Sequence, residues 1–309
     1  MRINLSAPST THLWILVAVS AFAWSFGPIC VRYAFEYDMH PALVSFGRMF
    51  TGVVMFAPYI WHKGAREIAA MPARSRWLAL IAGTMSGINI ALMVASLEHI
   101  SVLINQAFIA TIPIWVAFFE VTLLKQQLGK AVWIGILAAL AGGLMIAFTT
   151  ADAPAALPGG NPALGIMMAV ISACSAALYI IVGRKVRGAV SFVPYIWLVY
   201  SAGALVTLAI IAFNGISLIG YDVRGYLWVL LLAILAQIIG HGALNFVLRF
   251  MSPTTLTMTV QSVPILSAIW AFLIFSEMPT VPQAVGSVIL VFGVTIVLRG
   301  QQPPTSRSD

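Results

Sequence analysis

One basic side chain, Arg48, lies inside an otherwise apolar run of the sequence. The run covers residues 40–61, and Arg48 stands eight residues after its start. A planar guanidinium carries paired donors that suit the two oxygens of a carboxylate. The sequence therefore predicts that Arg48 binds a carboxylate group. The alternative is that it bonds to helix carbonyl groups and fastens helices together.

A polar stripe recurs at helical spacing later in the chain. Gln237, His241 and Asn245 are four residues apart, which places them on one face of a helix. Asn89 belongs to a similar stripe in the run 77–97. Such stripes on apolar helices point either at a cavity or at polar partners on other helices. We predict that the two stripes face each other across a cavity, with interhelical hydrogen bonding as the alternative.

Two prolines interrupt apolar runs, Pro113 and Pro264. A proline frees the carbonyl four residues before it and kinks the helix. Freed carbonyls could bind an ammonium group, and a kink that serves only packing is the alternative. Gln106 shares the face of Pro113, and Gln261 shares that of Pro264.

Two aromatic residues share a helix face with small polar side chains. Trp24 lies on the face of Ser20, and Tyr179 on that of Ser172 and Ser175. We predict that both rings line the same cavity, although most aromatic residues in such helices face lipid or packing partners. The predicted binding residues are Trp24, Arg48, Asn89, Gln106, Tyr179, Gln237, His241 and Gln261.

The elements that carry these residues are apolar runs long enough to cross a lipid bilayer. Charged residues make up 8% of the chain and hydrophobic residues 61%, whereas about 25% of residues are charged in soluble domains. A helix needs about 20 apolar residues to span the hydrocarbon core, where every backbone polar group must be bonded internally. Ten runs qualify: 12–34, 40–61, 77–97, 101–124, 131–149, 162–183, 191–213, 225–248, 253–275 and 281–298.

The 16 Lys and Arg residues favour one side of the predicted membrane. With the N-terminus inside, 13 fall in inner segments and 2, Arg32 and Arg224, in outer ones, while Arg48 lies within a run. The positive-inside rule predicts a multi-pass protein of the plasma (inner) membrane with both termini in the cytoplasm. It also explains the formal charge of +7 without a nucleic-acid partner.

The two halves of the chain repeat each other. A shift of 151 positions aligns Pro113 with Pro264, Gly135 with Gly286 and Gly142 with Gly293. Since a five-span unit has an odd number of spans, the second copy must enter the membrane inverted. We predict an all-α membrane protein of ten transmembrane helices arranged as two inverted five-helix repeats, with a binding site between them. The glycines, seven residues apart, predict tight packing faces on spans 5 and 10.

The repeat divides the chain into five parts. They are an N-terminal tail (1–11), a first repeat (12–150), a linker (151–161), a second repeat (162–299) and a C-terminal tail (300–309).

Glu120, one turn from the end of its run, is expected to reach Lys125 or water. Cys30 and Cys174 lie in apolar runs without metal-ligand spacing. We therefore expect no metal and no cofactor, and a protein that functions as a monomer in the bilayer.

Several segments resemble one known family. The segment Ala-Phe-Ala-Trp-Ser at 21–25, Arg48, the two proline helices, Ala-Leu-Tyr at 177–179 and Glu277 resemble EamA-type proteins of the drug/metabolite transporter superfamily. The resemblance extends over roughly residues 12–298. Ser25 and Gln126 depart from the glycine and glutamate that are usual in the family.

The resemblance implies a function in transport. Characterised members are mostly exporters of amino acids and related metabolites, and exporters of aromatic amino acids of the YddG type are the nearest analogy. It therefore implies export of aromatic or other neutral amino acids by alternating access. The direction of transport and its energy source are left open by the sequence.

Two other functions compete with metabolite export. A multidrug/proton antiporter usually needs a carboxylate buried in the membrane, and spans 1 and 6 contain none. An intramembrane hydrolase could use Ser86 as nucleophile and His241 as base, yet the chain has neither the G-x-S-x-G motif nor an orienting carboxylate beside the pair. We therefore expect a transporter and no enzyme.

Overall fold

The computed structural model describes residues 8–96, 99–100, 105, 108–109, 111–148, 160–187, 190–260, 263–275 and 281–300. Residues 1–7 of the N-terminal tail, residues 301–309 of the C-terminal tail, most of the linker, Gln106, Gln261 and Glu277 lie outside the described residues. The helices of the first half are α1 (Thr10–Ser25), α2 (Gly27–Glu36), α3 (Pro41–Tyr59), α4 (Ala65–Ala70), α5 (Ala73–Ser96), α6 (Ile112–Leu123) and α7 (Lys130–Phe148).

The second half contains a comparable series of helices. They are α8 (Pro162–Arg187), α9 (Phe192–Phe213), α10 (Val223–Leu232), α11 (Gly242–Val247), α12 (Pro253–Val260), α13 (Val263–Phe275) and α14 (Val281–Gly300). Two stretches have the wider π-helical winding: Ile60–Gly64, and Ala233–His241 between α10 and α11. We call the second one the π segment.

Most of these helices can cross a membrane. Among the described residues, seven helical stretches are long and apolar enough by length and composition, and three shorter helices are also apolar. Ile15, Leu137 and Phe292 are more than half exposed on the outer surface, where a soluble protein would carry charges. The chain is thus a multi-pass helical membrane protein, and the exact count of ten spans stays a prediction.

Prolines and caps determine where several helices begin. His40 accepts a hydrogen bond from the amide of Ala42 at the start of α3. The run 12–34 was expected to be one helix, but the structure divides it at Phe26, between α1 and α2. A proline lies in the first turn of α2, and because a proline has no amide hydrogen it cannot continue the hydrogen bonds of α1.

The first of the two repeat-related prolines lies at the start of a helix. Pro113 is the second residue of α6, which begins after the turn at Thr111. At this position in the first turn, a missing amide hydrogen breaks no helical bond. Pro113 therefore begins a new helix, whereas the sequence suggested a kink within one. The residues directly before Val263 lie outside the described residues, so a kink at Pro264 stays a prediction.

Helices α7 and α14 pack backbone to backbone through glycines. A Cβ atom added to Gly142 would lie 2.5 Å from the carbonyl oxygen of Gly286, and one added to Gly135 would lie 2.7 Å from that of Gly293. No side chain fits at these distances, so the glycines are what allow the approach. The predicted packing of spans 5 and 10 is confirmed.

Candidate functional site

Arg48 is buried in α3, where that helix packs against the π segment. Its side chain is only 5% exposed. One terminal nitrogen donates to the side-chain oxygen of Gln237 at 3.4 Å, and Nε has no hydrogen-bond partner among the described residues. No carboxylate in the described part of the chain lies within ion-pair distance of it. Arg48 is thus a buried cation with donor capacity to spare.

Gln237 is held in place by its own contacts. The Tyr200 hydroxyl donates to the backbone carbonyl of Gln237 at 2.7 Å, and the Gln237 amide lies 3.4 Å from the sulfur of Met49. Gln237 is completely buried. The bond from Tyr200 fixes the backbone of Gln237, and the contact with Met49 fixes its amide nitrogen. The side-chain oxygen of Gln237 is therefore oriented towards Arg48.

His241 is one turn further along the π segment, between two aromatic rings. The Trp24 ring meets the imidazole edge-on at 4.3 Å between centroids, and the Tyr179 ring lies at 6.3 Å. Nδ1 of His241 is buried without a hydrogen-bond partner in the described structure. A buried ring nitrogen costs free energy unless something bonds to it.

Asn245 closes the stripe on the next turn. Its amide nitrogen donates to the Tyr179 hydroxyl and, at 2.7 Å, to the carbonyl of His241. Its side-chain oxygen is buried and has no partner within the described residues. We call Trp24, Arg48, Tyr179, Gln237, His241 and Asn245 the central polar cluster.

The structure brings five of the eight predicted binding residues together in this cluster: Trp24, Arg48, Tyr179, Gln237 and His241. Among the described residues, three of its members keep a buried polar atom without a hydrogen-bond partner, namely Arg48, His241 and Asn245. Each of these atoms can bond to a polar group: an anion at the guanidinium, a donor or acceptor at the imidazole and a donor at the amide oxygen. Their role in binding stays a prediction.

Asn89 belongs to a different contact. Its amide donates to the carbonyl of Ser172 at 3.0 Å and to its hydroxyl at 2.9 Å, while that hydroxyl donates back to the carbonyl of Asn89 at 2.9 Å. These bonds join α5 to α8. No hydrogen bond in the described structure joins Asn89 to the stripe of His241, so here the alternative of interhelical bonding describes the geometry. Substrate contact by Asn89 stays a prediction, as it does for Gln106 and Gln261.

Tyr200 and Arg187 have roles that the sequence pattern did not indicate. Arg187 was counted with the loops, but it is 2% exposed and donates to the carbonyls of Asn245 and Val190 at 3.0 and 3.1 Å. Its partners are backbone carbonyls, which every residue has, so spacing could not reveal it. Tyr200 holds the backbone of Gln237 through its hydroxyl group. Its ring packs directly on Gly52 of α3, where an added Cβ atom would lie only 2.4 Å from a ring carbon.

Glu120 contradicts the expectation that it reaches Lys125 or water. It is 3% exposed, and its carboxylate accepts hydrogen bonds from the hydroxyl of Thr254 and, at 3.2 Å, from the amide of Thr254. The reason is the contact between α6 and α12, which covers this face of α6. We call the end of the bundle that carries Lys125, Arg184 and Arg249 the basic end.

A cavity of about 490 Å³ lies at the opposite end. Its lining includes Ser45 of α3 and Thr207 of α9, and also His40, Ala95, Met168 and Asn214. Ser45 and Arg48 are three residues apart on α3, so Arg48 lies about 4.5 Å deeper along the helix axis. The described lining of the cavity contains no residue of the central polar cluster.

Comparison with known proteins supplies the family. The model of the EamA-like transporter family matches the chain twice, over residues 12–148 and 163–299. The uncharacterized transporter YdfC of Bacillus subtilis (strain 168) is 24% identical over 197 residues, which are 64% of this chain and 62% of YdfC.

Two further similarities extend over nearly the whole chain. An uncharacterized transporter of Archaeoglobus fulgidus is 22% identical over 302 residues, covering 95% of this chain and 99% of that protein. A crystal structure of a protein 16% identical in sequence superposes with a TM-score of 0.76, covering 93% of this chain and 96% of that chain. At this identity the superposition shows the fold.

Proposed function

Since the chain belongs to the EamA-like transporter family, we propose that it exports small metabolites that carry a carboxylate, above all aromatic or other neutral amino acids. The observation that carries the proposal is Arg48, a buried guanidinium with an unpartnered Nε and no carboxylate partner among the described residues. A buried charge without a counterion is costly, and a substrate carboxylate would supply the missing partner.

The rest of the central polar cluster supports a zwitterionic substrate. The side-chain oxygen of Asn245 has no hydrogen-bond partner among the described residues and can accept a hydrogen bond from an ammonium group. The Trp24 and Tyr179 rings flank His241 and present apolar area beside these polar atoms. An aromatic ring can also attract an ammonium group, by about 0.5–2 kcal/mol. Carboxylate, ammonium and side chain of an amino acid would each meet a group suited to it.

The mechanism we propose is alternating access to this cluster from the two ends of the bundle. Two observations support it. A cavity of about 490 Å³ lies between helices at one end and includes Ser45, one turn from Arg48, in its lining, and at the basic end Glu120 of the first half bonds to Thr254 of the second half. We propose ten spans, a monomer and a plasma-membrane location with the basic end in the cytoplasm, in accord with the positive-inside rule.

Uptake into proteoliposomes that contain the purified protein tests the substrate. The panel compares phenylalanine and leucine with phenethylamine, which lacks the carboxylate, and with phenylpropionate, which lacks the ammonium group. We expect transport of the two amino acids and none of phenethylamine, because only a carboxylate pairs with Arg48. The proposal is contradicted if phenylalanine and phenethylamine are transported at equal rates. It is also contradicted if none of the four compounds is transported.

A further inference from the structure

Glu120 links the two repeats through a buried contact. It lies on α6 of the first repeat, and both of its hydrogen bonds go to Thr254 of α12 in the second repeat. Thr254 is the second residue of α12, so its amide is one of those that a helix leaves without an internal partner. The carboxylate of one repeat therefore caps a helix of the other.

The carboxylate of Glu120 is stabilised by the first turn of α12. In the described structure it forms no ion pair. Helix α12 contributes no charged residue. From α8, Arg184 is near enough for a coulombic interaction but donates to the carbonyl of Leu248. Lys185 is exposed, and Arg187 bonds to other carbonyls. An ionised carboxylate bonds to amide and hydroxyl donors more strongly than the neutral acid does. Adding a proton to Glu120 should weaken the contact.

The contact joins two helices near their ends. Helix α6 begins at Ile112, after the turn at Thr111, and Pro113 is its second residue. A proline in the first turn breaks no helical hydrogen bond, so the direction of α6 is not fixed by bonds from its amide to the preceding turn. On the other side, Thr254 lies in the first turn of α12. The contact of Glu120 with Thr254 thus holds α6 and α12 together at the basic end.

From this geometry we propose that Glu120 is a proton-binding site that controls the opening of the basic end. The ionised carboxylate caps α12 and holds it against α6. A proton from water at the basic end binds to a carboxylate oxygen, the negative charge disappears, and α6 and α12 separate. This inference goes beyond metabolite export and gives the protein a way to couple transport to protons. It does not depend on the identity of the substrate.

Distance measurement between two spin labels tests the proposal without any substrate. The labels are attached at Gln127→Cys and Arg249→Cys, both exposed at the basic end, in a full-length background with Cys30→Ala and Cys174→Ala. Distances are recorded in lipid nanodiscs at about pH 8.5 and about pH 5.5, since buried carboxyl groups commonly titrate within this range. We expect a longer distance to become more populated at the lower pH.

Substitutions of Glu120 decide whether this carboxylate is responsible. Glu120→Gln, which is permanently neutral, should populate the longer distance equally at both pH values, whereas Glu120→Asp should keep the response. Glu67 is the matched control: it also accepts a hydrogen bond from another side chain, the Tyr59 hydroxyl, at 2.7 Å, and Glu67→Gln should respond like the parent. A parent without a pH response, or a Glu120→Gln variant that responds like the parent, overturns the proposal.

If the Glu120→Gln variant does not fold, a milder substitution at Thr254 tests whether Glu120 binds the proton. Thr254→Val removes the hydroxyl donor but keeps the carboxylate and the backbone amide. Because the ionised form then loses one of its two donors, the pH midpoint of the distance change should rise by about one unit. An unchanged midpoint in a folded Thr254→Val variant overturns the proposal.

Discussion

The two buried arginines, Arg48 and Arg187, differ in how many of their donors form hydrogen bonds within the protein. Arg187 gives its donors to the carbonyls of Asn245 and Val190 at about ordinary hydrogen-bond lengths, 3.0 and 3.1 Å. Arg48 has one long bond of 3.4 Å to Gln237, and its Nε has no hydrogen-bond partner in the part of the chain that the structure describes. If Arg48 served only to fasten helices, its donors would be used as those of Arg187 are. The contrast favours the carboxylate-binding hypothesis for Arg48.

We expect Arg48→Lys to weaken transport of phenylalanine about 10-fold or more while the protein stays folded. An ammonium group lacks the paired donors of guanidinium, and the loss of a charge-assisted hydrogen bond costs about 1.5–3 kcal/mol. Arg48→Gln should be at least as impaired. Initial rates over a range of phenylalanine concentrations, measured in proteoliposomes, give the apparent affinity.

Arg187→Lys is the control for this experiment. It changes the same functional group at a site where both partners are backbone carbonyls, so it should lower the unfolding temperature in detergent and leave the apparent affinity within about twofold. Normal transport by both Arg48 variants at normal expression would contradict the hypothesis that Arg48 binds the carboxylate of the substrate.

The sequence could indicate Arg48 and the stripe of Gln237 and His241, because a polar group within an apolar run is visible in one dimension. It could not indicate that Glu120 would meet Thr254, since the two are 134 residues apart and depend on how α6 and α12 pack. It likewise could not show that Asn89 bonds to Ser172 across 83 residues. Partner choice is a property of packing, which hydropathy does not contain.

The π segment is the element that presents the stripe. Its wider winding spans Ala233–His241, and two hydroxyl groups from other helices bond to its carbonyls. Tyr200 donates to Gln237 and Ser20 donates to Gly240, both at 2.7 Å. π-Helical turns are uncommon and often occur at functional sites. The hydroxyl groups stabilise a winding that fixes where Gln237 and His241 point.

We expect Tyr200→Phe to speed hydrogen exchange of the amides in the π segment. The substitution removes one bond to the segment and keeps the ring; within a membrane such bonds contribute about 0.6 kcal/mol on average and about 1.7 at most. Hydrogen–deuterium exchange with mass spectrometry on peptides covering residues 233–241 measures the effect. Tyr226→Phe is the control, because the Tyr226 hydroxyl bonds at 2.8 Å to Leu218 outside the segment. Equal exchange in the parent and Tyr200→Phe contradicts the expectation.

Helical runs were predictable from the sequence because length and apolar composition decide whether a segment can cross a bilayer. The predicted runs 77–97 and 191–213 correspond closely to α5 and α9. The wider winding of the π segment was not predictable, since it depends on hydroxyl groups of Ser20 and Tyr200 that belong to other helices.

At the scale of the whole molecule, the repeat-related helices α7 and α14 run antiparallel. Gly135 meets Gly293, and Gly142 meets Gly286, so residue numbers rise along one helix as they fall along the other. Equivalent helices that run in opposite directions support the inverted arrangement proposed for the two repeats. The uneven distribution of Lys and Arg then gives the bundle its orientation.

We expect both termini in the cytoplasm. A fluorescent protein that matures only in the cytoplasm, fused after Gln301 in a bacterial host, should be bright, and alkaline phosphatase at the same place should be inactive. The physical reason is the positive-inside rule, which acts on the 13 basic residues counted on one side. Active phosphatase together with a dark fluorescent fusion would reverse the topology.

The glycine contacts between α7 and α14 form an isologous interface within one chain. Gly135 on one helix faces the counterpart of Gly142 on the other, and the reverse also holds, as in a two-fold homodimer. Such an interface does not need covalent continuity, so halves 1–155 and 156–309 expressed as separate polypeptides should assemble and co-purify. Gly142→Leu should prevent this, whereas Gly129→Leu, where an added Cβ meets nothing within 4 Å, should not. Such a result would show that the contacts between the halves, and not the covalent linker 151–161, hold the two repeats together.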